Sequence, residues 1–246
     1  MSDSETNPLP AIPGGWQIQT ITLPCATFQL AMPAIPDAML DQAIQRIDDG
    51  GQEIAPYWTY LWPTAAAMAT CVMRESWRPG TRALEIGCGI GLVGIAGLAV
   101  GLHVTFSDYI PEAVQLSIHN ATLNRLTQHR ALCLDWNVPD TEQFDVLLAN
   151  DVLYDRRDHK QLLRLIRQMM TPDGACWMGD PCRPESALFV EQAATYDLDV
   201  EVVPSAQVDW NTTAKPSVDH QRFQLIKLTR SSGSASPSTA AIPSLS

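Results

Sequence analysis

Six cysteines stand in this 246-residue chain, Cys25, Cys71, Cys88, Cys133, Cys176 and Cys182, and no two form a C-x-x-C pair. A disulfide framework is not expected in a chain this large and apolar, and zinc-ligand spacing is absent. The five histidines form no H-x-x-x-H pattern, so no metal site is expected. Positive charge is also scarce: 16 Lys and Arg stand against 27 Asp and Glu, a net charge of −11. That balance argues against a nucleic-acid partner and suits encounter with a basic one, such as a lysine-bearing protein. The start, Met1 to Glu5, lacks the basic patch and apolar run of a secretory signal, so a cytoplasmic location is expected, with an organelle left open. There is no internal repeat, and nothing speaks to oligomeric state.

One long apolar run is present, from Ala83 to Leu102. Its length would suit a membrane span, but Glu85 sits inside it and six glycines interrupt it. A buried strand, a tight loop and a buried helix account for it better, and no membrane partner is expected.

Residues 1–15 read as a flexible N-terminus, residues 16–230 as a single domain, and the Ser-rich residues 231–246 as a disordered tail. Within the domain, residues 16–32 suggest a hairpin. Helices are predicted over 37–49, stopped by Gly50 and Gly51, and over Thr64 to Trp77. A regular alternation follows. Strands are expected at 81–87, 103–107, 130–134, 144–150 and 174–179, with helices at 91–101, 112–124 and 157–170 between them. A helix near 185–195 and strands near 197–203 and 221–228 close the domain. Alternating strands and helices predict an α/β fold with a parallel sheet covered on both faces.

The segment Leu84-Glu85-Ile86-Gly87-Cys88-Gly89-Ile90-Gly91 carries the chemistry. Its glycines also fit the G-x-G-x-x-G pattern of nicotinamide enzymes, which stays a rival on the loop alone. Glu85 shifts the reading: an acid there suits the cationic amino group of a methionine moiety and would be unwelcome beside a pyrophosphate. Gly87, Gly89 and Gly91 let the backbone approach a cofactor, and the next helix N-terminus favours a carboxylate. Asp108 closes the following strand and can accept ribose hydroxyls, which fits either cofactor. Asp135 closes the third, where it can accept an adenine amino group while Trp136 covers the ring. Three acids at successive strand ends would line the carboxyl edge of the sheet, where ligands bind in open α/β folds. The cofactor expected is S-adenosyl-L-methionine.

Around this core the chain resembles the seven-β-strand, class I S-adenosylmethionine-dependent lysine methyltransferases. The shared features run from about residue 55 to 190. They are Pro56-Tyr57-Trp58-Thr59-Tyr60-Leu61-Trp62-Pro63, the glycine loop, Asn150-Asp151-Val152-Leu153-Tyr154-Asp155 and Gly179-Asp180-Pro181-Cys182-Arg183-Pro184. The last points to the subgroup acting on the electron-transfer-flavoprotein β-subunit, with Cys182 where glycine is expected. The resemblance implies a Rossmann-like, seven-stranded, mostly parallel sheet ending in an antiparallel hairpin. It also implies that Trp62 and Asn150 contact the cofactor, and that Asp151 and Tyr154 are the catalytic pair lining the acceptor pocket. Asp151 is expected to accept hydrogen bonds from the acceptor amine. Trp58 reads as packing, and Asp155 to Asp158 as a solvated helix start.

The function expected is therefore N-methylation of a protein lysine. A small-molecule N-methyltransferase is the alternative, with the 204–220 segment as lid or docking loop, and a non-catalytic cofactor-binding protein is a third reading.

Overall fold

The computed structural model describes residues 9–41, 56–204 and 222–231. The expected flexible N-terminus falls largely outside these, as do most of the predicted 37–49 helix, the 204–220 loop and the tail. Residues 36–41 are helical (α1).

The main body is a seven-stranded sheet. Its strands are β3 (Arg82–Ile86), β4 (His103–Asp108), β5 (His129–Cys133), β6 (Phe144–Asn150), β7 (Met170–Asp180), β8 (Leu198–Pro204) and β9 (Gln224–Arg230). The spatial order is β5-β4-β3-β6-β7-β9-β8, with β9 antiparallel to both neighbours and the other pairs parallel. This is the α/β architecture expected. Central strands β3 and β6 are apolar runs covered on both faces, so they read as continuous rather than alternating hydrophobicity. The helices are α2 (Ala65–Arg74), α3 (Leu92–Ala99), α4 (Pro111–Leu123), α5 (His159–Met169) and α6 (Pro184–Ala193). Buried on nearly every side, α3 is apolar all round; α5 instead buries the stripe Leu162, Leu163, Leu165, Ile166 and Met169. Among the described residues no helix is long and apolar enough to cross a membrane.

The chain winds outward from β3 to β5, then returns to lay β6 on the other side of β3. The strand order therefore reverses between β3 and β6, and their carboxyl ends open a crevice there.

A separate antiparallel hairpin, β1 (Trp16–Thr22) with β2 (Thr27–Pro33), docks on α4. Asn120 makes the joint. Its Oδ1 accepts from Ala31 N–H at 2.7 Å, and its Nδ2 donates to the carbonyls of Ala31 (3.2 Å) and Ile90 (3.0 Å). One buried amide thus ties the hairpin to the glycine loop.

Several boundaries differ from the sequence reading, and two of them have a clear cause. The helix after Thr64 ends at Arg74, and Trp77 turns back to stack on Trp177 with ring centroids 5.1 Å apart. β7 begins at Met170 rather than 174, because a register shift between Phe144 and Val146 absorbs Pro172 and Gly174 within the strand.

Candidate functional site

The loop from β3 to α3 sets the floor of the site. Gly87, Gly89 and Gly91 all have left-handed φ, from 49 to 85°. At Gly91 (φ 85°) a Cβ would also stand 2.8 Å from the Ser117 side chain, so both backbone and space demand glycine. Gly94 serves a different need: a Cβ there would run into the Glu85 carboxyl and the edge of the Phe106 ring.

Glu85 is buried between the sheet and α3. Burial raises its carboxyl pKa from the ordinary 4.5 to about 8, helped by nearby Asp108, while the amides of Gly94 and Val93 pull it down. Its Oε2 has no hydrogen-bond partner. A buried acid that lines a cavity with one oxygen unpartnered is suited to receive a cation.

Asp108 holds the loop from the next strand. Its Oδ2 accepts from Gly89 N–H (3.1 Å) and its Oδ1 from Ile110 N–H (3.0 Å), and burial raises its pKa. Each oxygen keeps a second lone pair. Asp135 bonds Asn137 through Oδ1 alone, at 2.8 Å to the backbone and 2.9 Å to the amide. Trp136 lies beside Gly87.

These residues surround one cavity of about 420 Å³ at the β3/β6 crevice, within the range of small-molecule sites. Every candidate from the sequence lines it: Trp62, Glu85, Gly87, Gly89, Gly91, Asp108, Asp135, Trp136, Asn150, Asp151 and Tyr154. Trp58, read as packing, both packs on the core and lines the cavity. Asn150 brings a second buried, unpartnered atom, Oδ1.

The mouth is aromatic. Tyr57 sits edge-on to Trp62 (5.9 Å) and to Tyr154 (5.7 Å), and Tyr60 is tilted against Trp62 at 6.1 Å. Tyr57, Tyr109 and Tyr154 are exposed there. Burial, then Asp158 and further acids, raise the Tyr154 pKa above its ordinary 10, so the phenol stays protonated.

Asp151 is held from two sides. Its side chain is only 2% exposed, and each oxygen accepts one bond from the protein. Oδ2 accepts from the Thr64 hydroxyl, and Oδ1 pairs with the guanidinium of Arg183. As at Asp108, each oxygen keeps a second lone pair, and Asp151 lines the cavity. Asp158, read as part of a solvated helix start, also lines the cavity. Sequence reasoning passed over Tyr57, Tyr60, Tyr109, Asp158, Thr64 and Arg183 as site residues. Tyr57, Tyr60 and Arg183 lay inside the segments that carried the family resemblance, so proximity to those motifs was the available signal. Cys182 has φ 61°, a left-handed conformation that glycine adopts freely, which is why a glycine is expected at that position.

Three comparisons bear on this site. The family model described as "Methyltransferase domain" matches residues 84–176. The chain is 38% identical over 106 residues to the histidine protein methyltransferase 1 homolog of Dictyostelium discoideum, covering 40% of this chain and 34% of that protein. It is 27% identical over 153 residues to the histone-arginine methyltransferase METTL23 of Homo sapiens, covering 58% and 80%. With the calmodulin-lysine N-methyltransferase of Arabidopsis thaliana it shares 30% over 120 residues, covering 44% and 40%. The match thus spans about a third of the first of these relatives and most of the second. In fold the chain is similar to the N-methyltransferase NodS of Bradyrhizobium japonicum WM9, solved with S-adenosyl-L-homocysteine. There the TM-score is 0.50 at 18% identity, over 66% of this chain and 85% of that one.

Proposed function

We infer that this chain, a methyltransferase domain of the class I, S-adenosylmethionine-dependent fold, transfers a methyl group to a side-chain nitrogen of a protein. The lining of the cavity carries this reading. Asp108, Asp135 and Asp158 supply carboxylates, Glu85 supplies an acid that a cation would ionise, and no Lys, Arg or His is among the described lining residues. Such a wall suits a donor bearing a sulfonium and an ammonium, and repels an anionic acceptor.

The residues fit that cofactor. Glu85 would offer its carboxyl group to the ammonium, and the N-terminus of α3 would favour the carboxylate. Asp108 has lone pairs left for ribose hydroxyls, and Asp135 has Oδ2 for the adenine amino group beside Trp136. Gly87, Gly89, Gly91, Asn150 and Trp62 complete the wall. When bound, the cofactor supplies a methyl group already activated for in-line displacement. The chain's own task is to orient the accepting nitrogen and exclude water, which can be worth several kcal/mol.

For the acceptor we favour lysine. The exposed tyrosines and Asp158 at the mouth suit a cation, which aromatic faces attract. A lysine must then lose its proton, at roughly 4 to 5 kcal/mol near neutral pH. A neighbouring sulfonium lowers that cost by disfavouring the ammonium form. Tyr154 stays neutral and forms the wall beside the nitrogen. The similar proteins are named for histidine, arginine and lysine methylation, so the residue type is the point to test. The narrower reading, action on the electron-transfer-flavoprotein β-subunit, rests on the resemblance at Gly179 to Pro184.

The experiment is incubation of the protein with isotope-labelled S-adenosylmethionine and the proteome of the source organism, followed by peptide mass spectrometry. Label on a lysine Nζ is the expected result. Label on histidine or arginine overturns the residue type, and label confined to small molecules supports the alternative substrate class.

A further inference from the structure

Asp151 joins three segments that are far apart in the chain. Thr64 lies directly after the rim residues Tyr57 to Trp62 and before α2, and its hydroxyl bonds Asp151 Oδ2. Asp151 itself follows β6, with φ 60° and its N–H donating to Gly179 O at 2.9 Å. Arg183, at the start of α6, pairs with Asp151 Oδ1.

Arg183 is in turn fixed from behind. Its backbone N–H donates to Asp180 Oδ1 at 2.9 Å, and its guanidinium stands 3.8 Å from Asp180 Oδ2. Asp180 is fully buried, and its Oδ1 also accepts from Gln224 Nε2 at 2.9 Å. Gln224 reaches Ser186 Oγ at 2.8 Å, and Ser186 Oγ donates to Arg183 O at 2.6 Å. The Arg183 backbone therefore sits in a frame built from β7, β9 and α6, from which the guanidinium reaches past Asp180 to Asp151.

We propose that Arg183 is a positioning residue: acting through Asp151, it fixes the aromatic rim segment 57–65 against the turn Asn150 to Tyr154, and so sets the approach of the acceptor nitrogen. Each carboxylate oxygen of Asp151 takes one bond in this joint. A forked guanidinium suits the task because its direction is set as well as its charge. The identity of what is positioned rests on the methyl-transfer reading above; the mechanical coupling between α6 and the rim does not.

Amide hydrogen exchange read by mass spectrometry tests the coupling directly. Arg183→Gln is expected to speed exchange by about tenfold across residues 57–65, to which the hydrogen bonds and ion pairs of Arg183 do not extend directly. Because that variant strands a buried carboxylate, the charge-neutral pair Asp151→Asn with Arg183→Gln is the companion, with the same effect expected on the rim. Arg183→Lys restores protection only in part. Exchange changes confined to 180–190 overturn the proposal.

The second arm uses tritiated S-adenosylmethionine with the source proteome as acceptor. Arg183→Gln is expected to lower kcat by about a hundredfold, with the affinity for S-adenosylhomocysteine by calorimetry unchanged. Wild-type turnover in Arg183→Gln alongside a dead Asp151→Asn overturns it, since Asp151 then acts alone. If the wild type binds no S-adenosylhomocysteine, the methyl-transfer reading fails, and the exchange data still decide the coupling.

Discussion

Glu85 shows how a single side chain can trade stability for binding. Its pKa of about 8 in the folded chain lies well above the ordinary 4.5, so the folded state prefers the neutral acid. The stability this represents is fully present below about pH 4.5 and is lost as pH rises through about 8. Glu85→Gln removes the titration. In the ligand-free protein it is expected to become progressively more stable than wild type across that interval, by up to several kcal/mol, as urea denaturation at a series of pH values can measure. An arriving ammonium has the opposite effect on the wild type, because it favours the carboxylate. Cofactor binding near neutral pH should therefore release a proton. Calorimetry in two buffers of different ionisation enthalpy detects it, and the release should vanish in Glu85→Gln together with most of the affinity. A buffer-independent enthalpy in the wild type would show that Glu85 does not meet the ammonium.

At the scale of elements, the hairpin and the glycine loop share one hinge, Asn120. Asn120→Ala strips partners from the N–H and O of Ala31 and from the O of Ile90. Leaving such groups buried and unpaired should cost about 2 to 4 kcal/mol, visible as a lower denaturation midpoint. Because Ile90 lies within the loop, affinity for S-adenosylhomocysteine should fall as well; full affinity in a destabilised variant would separate hairpin from site. Strands β3 to β6 and their helices were legible in the sequence because buried runs such as Val146 to Ala149 alternate with clear helical segments. The start of β7 was not, because Pro172 and Gly174 imitate a turn and only the bulge against β6 accommodates them. The glycine loop and its acids were legible because a sharp turn beside a cofactor leaves few residue choices. The partners of Asp151 were hidden for the converse reason: Arg183 and Thr64 meet it only once three distant segments fold together. Asp158 was hidden by its neighbours, since a run of Asp and Arg reads as a solvated surface until one member turns toward a cavity.

For the whole molecule, the net charge of −11 and the acids around one aromatic mouth point the same way. Long-range attraction of a basic substrate should act chiefly on encounter, and salt should weaken it as the screening length shrinks from about 10 Å at 0.1 M to about 3 Å at 1 M. Transfer to a lysine-rich protein is thus expected to show a rising KM and a nearly constant kcat as sodium chloride is added. Asp158→Asn removes one of the charges at the mouth, and should raise KM a few-fold at low salt, with little further loss at high salt. Affinity for S-adenosylhomocysteine should stay level throughout, since Asp158 is assigned to the acceptor side. Steady-state kinetics over an ionic-strength series provide the check. A KM indifferent to salt in both proteins would mean that the charge serves no encounter, and would favour a small or neutral acceptor that enters by shape alone.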